Sequence, residues 1–217
     1  MKIKILIADD HAVIRDGLRL LMRSQADFQV IGDAIHGREA ISKAVTLRPD
    51  VIIMDIAMPE FNGIEATRQI KNDHPDMRIL MLSMYSTTEH IYQAFEAGAD
   101  GYLLKESAGA EIVSAIRAVH SGKKFLSEKI PPHVLAEYIR LRNTAEKSNP
   151  LERLSPRERE ILQLVAEGKP SVEIAEMLNL SPKTVETYRS RIMEKLGIEN
   201  LAGVIKFAIQ HGLIGLD

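Results

Sequence analysis

Two adjacent acids, Asp9 and Asp10, a third acid at Asp55, a hydroxyl at Ser83 and an ammonium at Lys105 could do chemistry together in this 217-residue chain. Each stands at the end of a short apolar run: Ile3-Ala8, Val51-Met54, Ile79-Leu82 and Gly101-Leu104. Three crowded carboxylates repel one another and need protons, partners or a cation. Oxygen ligands with few geometric demands of their own suit Mg²⁺, which keeps waters and favours one or two carboxylates plus a phosphate. Asp55 is then the natural nucleophile, because a carboxylate forms an acyl-phosphate. Lys105 would pair with one phosphoryl oxygen and Ser83 would bond another, while Mg²⁺ offsets charge during in-line transfer.

The elements that must position these residues are legible in the first 120 positions. Five short runs, the four above and Val30-Ala34, are β-branched or aliphatic on both faces, as strands buried between two helical layers are. Helix-length amphipathic stretches lie between them, with stripes such as Ile14, Leu18, Leu21 and Met22, or Ile112, Ala115, Ile116 and Val119. Five strand–helix repeats predict a doubly wound, five-stranded parallel sheet with right-handed crossovers. In such a sheet ligands bind at the carboxyl ends of the strands, where the three acids, the hydroxyl and the lysine would share one mouth. His11, next to the acids, reads as a helix-start residue.

Composition narrows the function classes. The chain is 45% apolar and 27% charged with net charge -2, which excludes a broadly cationic, nucleic-acid-coating protein but not a local DNA surface. Absence of cysteine excludes disulfide scaffolds, cysteine nucleophiles and thiolate metal sites. The seven histidines have no zinc-site spacing. No apolar run approaches the ~20 residues needed to cross a bilayer, and Asp9-Asp10 falls where a signal peptide would be apolar. The expected setting is cytoplasmic, without a membrane partner.

Residues 121–150 break the rhythm and read as a linker with one short helix after Pro131-Pro132. From 151 to 217 there are no strand patterns. Ser155-Pro156-Arg157-Glu158 combines a cap, a first-turn proline and a capping box. Ser171 is expected to cap a second helix to Leu178, and Ser181-Pro182 starts a third that stops at Gly197. A fourth covers 201–212. The result is a small all-α, four-helix domain with a helix-turn-helix. On the third helix Val185, Tyr188, Ile192 and Leu196 form the inward stripe, and the opposite side shows Lys183, Thr187, Ser190 and Arg191 with Glu186 at its margin. That face suits a major-groove recognition helix.

Two resemblances sharpen this reading. Asp9-Asp10, Asp55-Ile56-Ala57-Met58-Pro59 with Asn62-Gly63, Ser83 and Gly98-Ala99-Asp100-Gly101-Tyr102-Leu103-Leu104-Lys105 resemble the receiver domain of a two-component response regulator, a flavodoxin-like fold. The resemblance implies that a sensor histidine kinase supplies phosphate to Asp55, and that Asp9, Asp10, Asp55 and the Ala57 backbone carbonyl bind Mg²⁺. It makes Lys105 the phosphoryl partner, with Ser83 and Tyr102 the switch pair, Tyr102 turning inward on phosphorylation. Ala57, Asn62 and Glu106 depart from the commonest pattern. Leu154-Ser155-Pro156-Arg157-Glu158-Arg159-Glu160, Glu173-Ile174-Ala175, Leu180 through Tyr188 and Lys195-Leu196-Gly197 resemble the LuxR-type helix-turn-helix, and the whole is similar to the NarL/FixJ class. Lys183, Glu186, Thr187 and Ser190 would then face base edges, with Thr184 and Arg191 on phosphates. The implied protein is a phosphoacceptor rather than an enzyme, with slow autodephosphorylation at most. When active it is a homodimer on paired half-sites of double-stranded promoter DNA. A phosphohydrolase of the haloacid-dehalogenase type would need a second Asp where Ala57 stands. A nucleotide-binding domain would need a Gly-rich loop after the first strand.

Overall fold

The computed structural model describes residues 2–143 and 150–214. The chain divides into two compact units, 1–144 and 145–217. In the first, strands β1 (Ile3–Ala8), β2 (Phe28–Ala34), β3 (Val51–Asp55), β4 (Arg78–Ser83), β5 (Gly101–Leu104) and β6 (Phe125–Leu126) form one parallel sheet of order β2-β1-β3-β4-β5-β6. Helices α1 (Ala12–Arg23), α2 (Gly37–Leu47), α3 (Gly63–Asp73), α4 (Thr88–Glu96), α5 (Ala108–His120) and α6 (Pro132–Asn143) cover it. Strand period decides which core each side chain enters. Ile5, Ile7, Ile53, Leu80, Leu82 and Leu103 meet Leu18, Ile112 and Ile116 of α1 and α5. Leu6, Ile52, Met54, Ile79 and Met81 meet Ala40, Ile70 and Ile91 of α2, α3 and α4 on the other face. Burying one such aliphatic side chain contributes ~1.5–3 kcal/mol, and the buried stretches 5–8, 51–54 and 79–82 carry no polar residue before the strands' carboxyl ends.

The structure adds a sixth strand to the five expected. Phe125 and Leu126 pair with Gly101 and Tyr102. Nor is the described part of 121–150 a free linker. Ile130 and Val134 are buried in the core shared with α4, and Tyr138 of α6 lies 5.4 Å, centroid to centroid, from Phe95 of α4. The physical reason is the apolar face of α6, where Val134 and Tyr138 pack into the core beside α4.

The second unit begins with a 3₁₀ turn at Pro150–Arg153, followed by α7 (Pro156–Ala166), α8 (Ser171–Leu178), α9 (Pro182–Leu196) and α10 (Leu201–Gln210). Ser155 accepts from Glu158 N while the Glu158 side chain accepts from Ser155 N, the expected capping box. Gly197 ends α9 at φ 65°, a left-handed setting that costs glycine no side-chain clash. Ile161, Leu164, Ile174, Val185, Ile192 and Val204 form the core. The cap of α8 differs from expectation. Pro170 occupies the cap position, and Ser171 is the first helical residue.

Candidate functional site

The first site is the mouth at the carboxyl ends of β1, β3, β4 and β5. Asp9 is wholly buried just past β1, Asp55 is 2% exposed at the end of β3 and Ser83 is wholly buried at the end of β4. Lys105 follows β5, and its Nζ lies 2.8 Å from Asp9 Oδ2 and 2.9 Å from Asp55 Oδ2. Asp9, Asp55 and Lys105, spread over almost a hundred positions, thus meet because a parallel sheet brings its strand ends to one edge, and Ser83 ends a strand at that same edge. Burial and, after it, the charge on Asp9 push the Asp55 carboxyl up to about 6, against the pull of Lys105. Burial alone would lower Lys105, but Asp55 and Asp9 outweigh it and hold the ammonium above its ordinary value.

One ammonium does not satisfy this cluster. Asp9 Oδ2 and Asp10 Oδ1 are buried and accept no well-formed hydrogen bond among the described residues, although Lys105 Nζ and His11 Nδ1 each lie 2.8 Å away. Ligand atoms of Asp9, Asp10, His11 and Asp55 lie within 4.8 Å of one another. Carboxylate oxygens left short of partners at that spacing fit a hard divalent cation such as Mg²⁺. Ala57, half-buried, follows β3 by two residues. His11 does begin α1, as read from the sequence, and it also touches both N-terminal acids. Arg15 Nη1, which sequence reasoning missed, donates to the Asp9 carbonyl at 2.8 Å.

The floor of the mouth is built on a close approach. Gly63 N donates to the Ile56 carbonyl at 2.9 Å, and a Cβ on Gly63 would fall 1.8 Å from the Asp55 carbonyl oxygen. Asn62 caps α3 by accepting from Glu65 N at 2.9 Å, so this departure from the commonest receiver pattern serves as a cap. Gly63→Ala is expected to lower stability by about 2 kcal/mol, since backbone rather than a flexible side chain must move, and to displace Asp55. Chemical denaturation of the full chain reads the first effect and phosphodonor labelling the second.

Tyr102 and Ser83 sit behind the acids. Tyr102 is wholly buried, and its hydroxyl donates to the Tyr85 carbonyl at 2.7 Å. Burial raises its phenol pKa well above the ordinary range, opposed by the Ser83 hydroxyl and reinforced by the charge on Asp55. The structure thus has Tyr102 in the inward setting that the sequence reading assigned to the switched form. Ser83 Oγ accepts from Tyr85 N at 3.0 Å. The Tyr85 ring stacks on His90 at 4.5 Å, and Thr87 Oγ1 lies 2.6 Å from His90 Nδ1, so the strand end is joined to the first turn of α4.

The second site is the outer face of α9. Lys183, Glu186, Thr187, Ser190 and Arg191 are exposed, while Val185 and Ile192 are buried. Thr184 is half-buried and shares a hydrogen bond with the cap, its Oγ1 2.8 Å from Ser181 Oγ. Thr187 and Ser190 donate their hydroxyls to the carbonyls of Lys183 and Glu186. Each hydroxyl oxygen thereby keeps its lone pairs for an outside donor. Several cations of this unit are committed: Lys195 to Glu158, Lys169 to Glu173, Arg157 to Glu160 and Arg189 to Glu186. Lys183 and Arg191 make no ion pair among the described residues. An almost neutral unit therefore still offers a locally positive face on α9.

Comparison with known proteins places each unit in a family. Residues 5–117 match the response regulator receiver domain and residues 152–208 match the bacterial regulatory proteins of the luxR family. The response regulator protein VraR of Staphylococcus aureus is 39% identical over 215 residues, covering 99% of this chain and all of VraR. A LuxR-family two-component response regulator from Aurantimonas sp. SI85-9A1 is 34% identical with TM-score 0.59, covering 66% of this chain and 99% of that one. RcsB of Salmonella enterica serovar Typhimurium, in a structure bound to promoter rprA with the phosphomimetic BeF3-, is 28% identical with TM-score 0.60, covering 95% of this chain and 98% of that one. A parallel α/β unit with an acidic, lysine-bearing mouth, joined in one chain to a helix-turn-helix, belongs to the LuxR family of DNA-binding two-component response regulators.

Proposed function

We propose that this regulator is switched by phosphorylation of Asp55 and that the switch controls its dimerisation and its affinity for promoter DNA. The observation that carries the proposal is the meeting of Lys105 with both Asp9 and Asp55 at under 3 Å. An Asp55 oxygen attacks the phosphorus of a phosphohistidine on a sensor kinase, and an O–P bond forms as the N–P bond breaks. Lys105 holds a phosphoryl oxygen in place of the carboxylate it now pairs with, and the Ser83 hydroxyl bonds another. Asp9, Asp10, Asp55 and the Ala57 carbonyl would hold Mg²⁺, which when bound neutralises charge on the transferring group. Tyr102 and Ser83, both joined to Tyr85, pass the change to α4.

On the DNA side, Lys183, Glu186, Thr187 and Ser190 face base edges while Thr184 and Arg191 meet phosphates. These six positions lie along one side of α9, with spacings of three and four residues. Domain roles divide as a receiver over 1–120 and a DNA reader over 151–217, and the structure extends the first unit through α6. Affinity of the full chain for its promoter duplex should be measured at fixed salt with and without acetyl phosphate and Mg²⁺. The expected gain is about tenfold or more, and an unchanged affinity would remove the phosphorylation switch while leaving the DNA-binding assignment intact.

A further inference from the structure

The hydroxyl of Ser171, free of any capping duty on α8, goes to the recognition helix. Arg189 Nη1 lies 2.9 Å from Ser171 Oγ, and Ser171 Oγ is in turn hydrogen-bonded to Glu186 Oε1. Arg189 Nη1 also lies 3.4 Å from the same carboxylate oxygen. The direction of this relay is forced by chemistry. A guanidinium only donates and a carboxylate only accepts, so Ser171 accepts from Arg189 and gives its proton to Glu186. One oxygen of Glu186 is held at the join of α8 and α9. The other, Oε2, makes no hydrogen bond among the described residues, on a side chain that is 60% exposed.

We infer that Ser171 and Arg189 are positioning residues that hold Glu186 as a preset acceptor for a cytosine amine in the major groove. The inference rests on the reading of α9 as the base-contacting helix. An unheld glutamate would sample several rotamers and would carry an uncompensated negative charge toward the DNA phosphates. Here one oxygen is anchored and the adjacent guanidinium balances the charge. A carboxylate acceptor favours cytosine, whose N4 amine stands on the major-groove edge without an acceptor on the same base. Adenine sets N7 beside N6, and guanine presents only acceptors.

Selection of binding sites from a randomised duplex pool by the full chain, with acetyl phosphate and Mg²⁺ present, tests this. Wild type is expected to prefer cytosine at one position of each half-site by about tenfold. Ser171→Ala and Arg189→Ala should reduce that preference to about twofold while other positions keep theirs. Ser171→Thr, which retains the hydroxyl, should restore it. Circular dichroism confirms that each variant is folded. A merely structural role would weaken binding to every sequence alike, and a uniform loss with the cytosine preference intact overturns the inference. So does unchanged preference in both alanine variants. Glu186→Ala separates the two levels. If it flattens the position while the Ser171 and Arg189 variants do not, Glu186 reads the base unaided and only the positioning claim falls. If it changes no base preference, the assignment of Glu186 to a base edge falls, and the positioning claim with it.

Discussion

Asp55→Asn is expected to cut labelling by acetyl phosphate and Mg²⁺ to about a hundredth of wild type or less, because an amide lacks the nucleophilic oxyanion. The substitution keeps shape and volume, so the neighbours that define the mouth remain. Lys105 retains Asp9 at 2.8 Å as a partner, and the Gly63 approach involves the backbone of Asp55 rather than its carboxyl group. The variant should also lose any donor-dependent gain in DNA affinity while keeping the affinity of untreated protein. Moving a two-state protein from 1:99 to 99:1 takes about 5.5 kcal/mol of differential stabilisation, and no group remaining in the variant supplies it. Labelling above about a tenth of wild type would mean that another residue accepts the phosphate.

The second large effect is on stability against pH. Asp55 is held at about 6 in the fold, above the 3.8 of an ordinary aspartate, chiefly by burial and next by Asp9. The folded protein therefore binds this proton more tightly than the unfolded chain does. Asp55 contributes stability that is complete below pH 4 and is lost as pH rises through 6. The gap of about two units corresponds to about 3 kcal/mol. Acids lowered by their partners, such as Asp100 beside Lys71, run the other way and lose their contribution as pH falls, so total stability mixes both signs. Wild type against Asp55→Asn isolates the one group. Hydrogen exchange of β3 amides in the full chain, with chelator, should show the variant gaining on wild type between pH 4 and 7. A constant difference across that range would contradict the Asp55 assignment. Mg²⁺ should restore wild type increasingly as pH rises through 6, because the cation competes with the proton for the same oxygens.

Much of this architecture is legible in the sequence. Asp9, Asp55, Ser83 and Lys105 each stand at the end of an apolar run, and a parallel sheet allows only one edge for such ends. The Ser155-Pro156-Arg157-Glu158 cap was equally plain, since capping is decided within four residues. What escaped depends on contacts between elements. The sixth strand is two residues long, and Lys124-Phe125-Leu126-Ser127 has too little pattern to announce pairing with β5. Val134 and Tyr138 give α6 an apolar face, but nothing local says that α4 receives it. Ser171 looked like a cap because serine before a helix usually is one. Its actual partners lie 15 and 18 positions away. Arg15 lies close to Asp9 in sequence, yet its bond is to a backbone carbonyl, which side-chain patterns do not reveal.

The enclosure of Tyr102 bears on how such a protein would meter its input. A phenol ring with no exposed surface fills space that its neighbours cannot partly reclaim, because close-packed interiors rearrange between discrete arrangements rather than deform smoothly. Withdrawal would leave a ring-sized void and break the hydrogen bond to the Tyr85 carbonyl, so halfway rotamers are costly and sparsely occupied. Each molecule then reports yes or no. A graded stimulus in the cell would be encoded in the proportion of molecules answering yes, and transcription would follow that headcount.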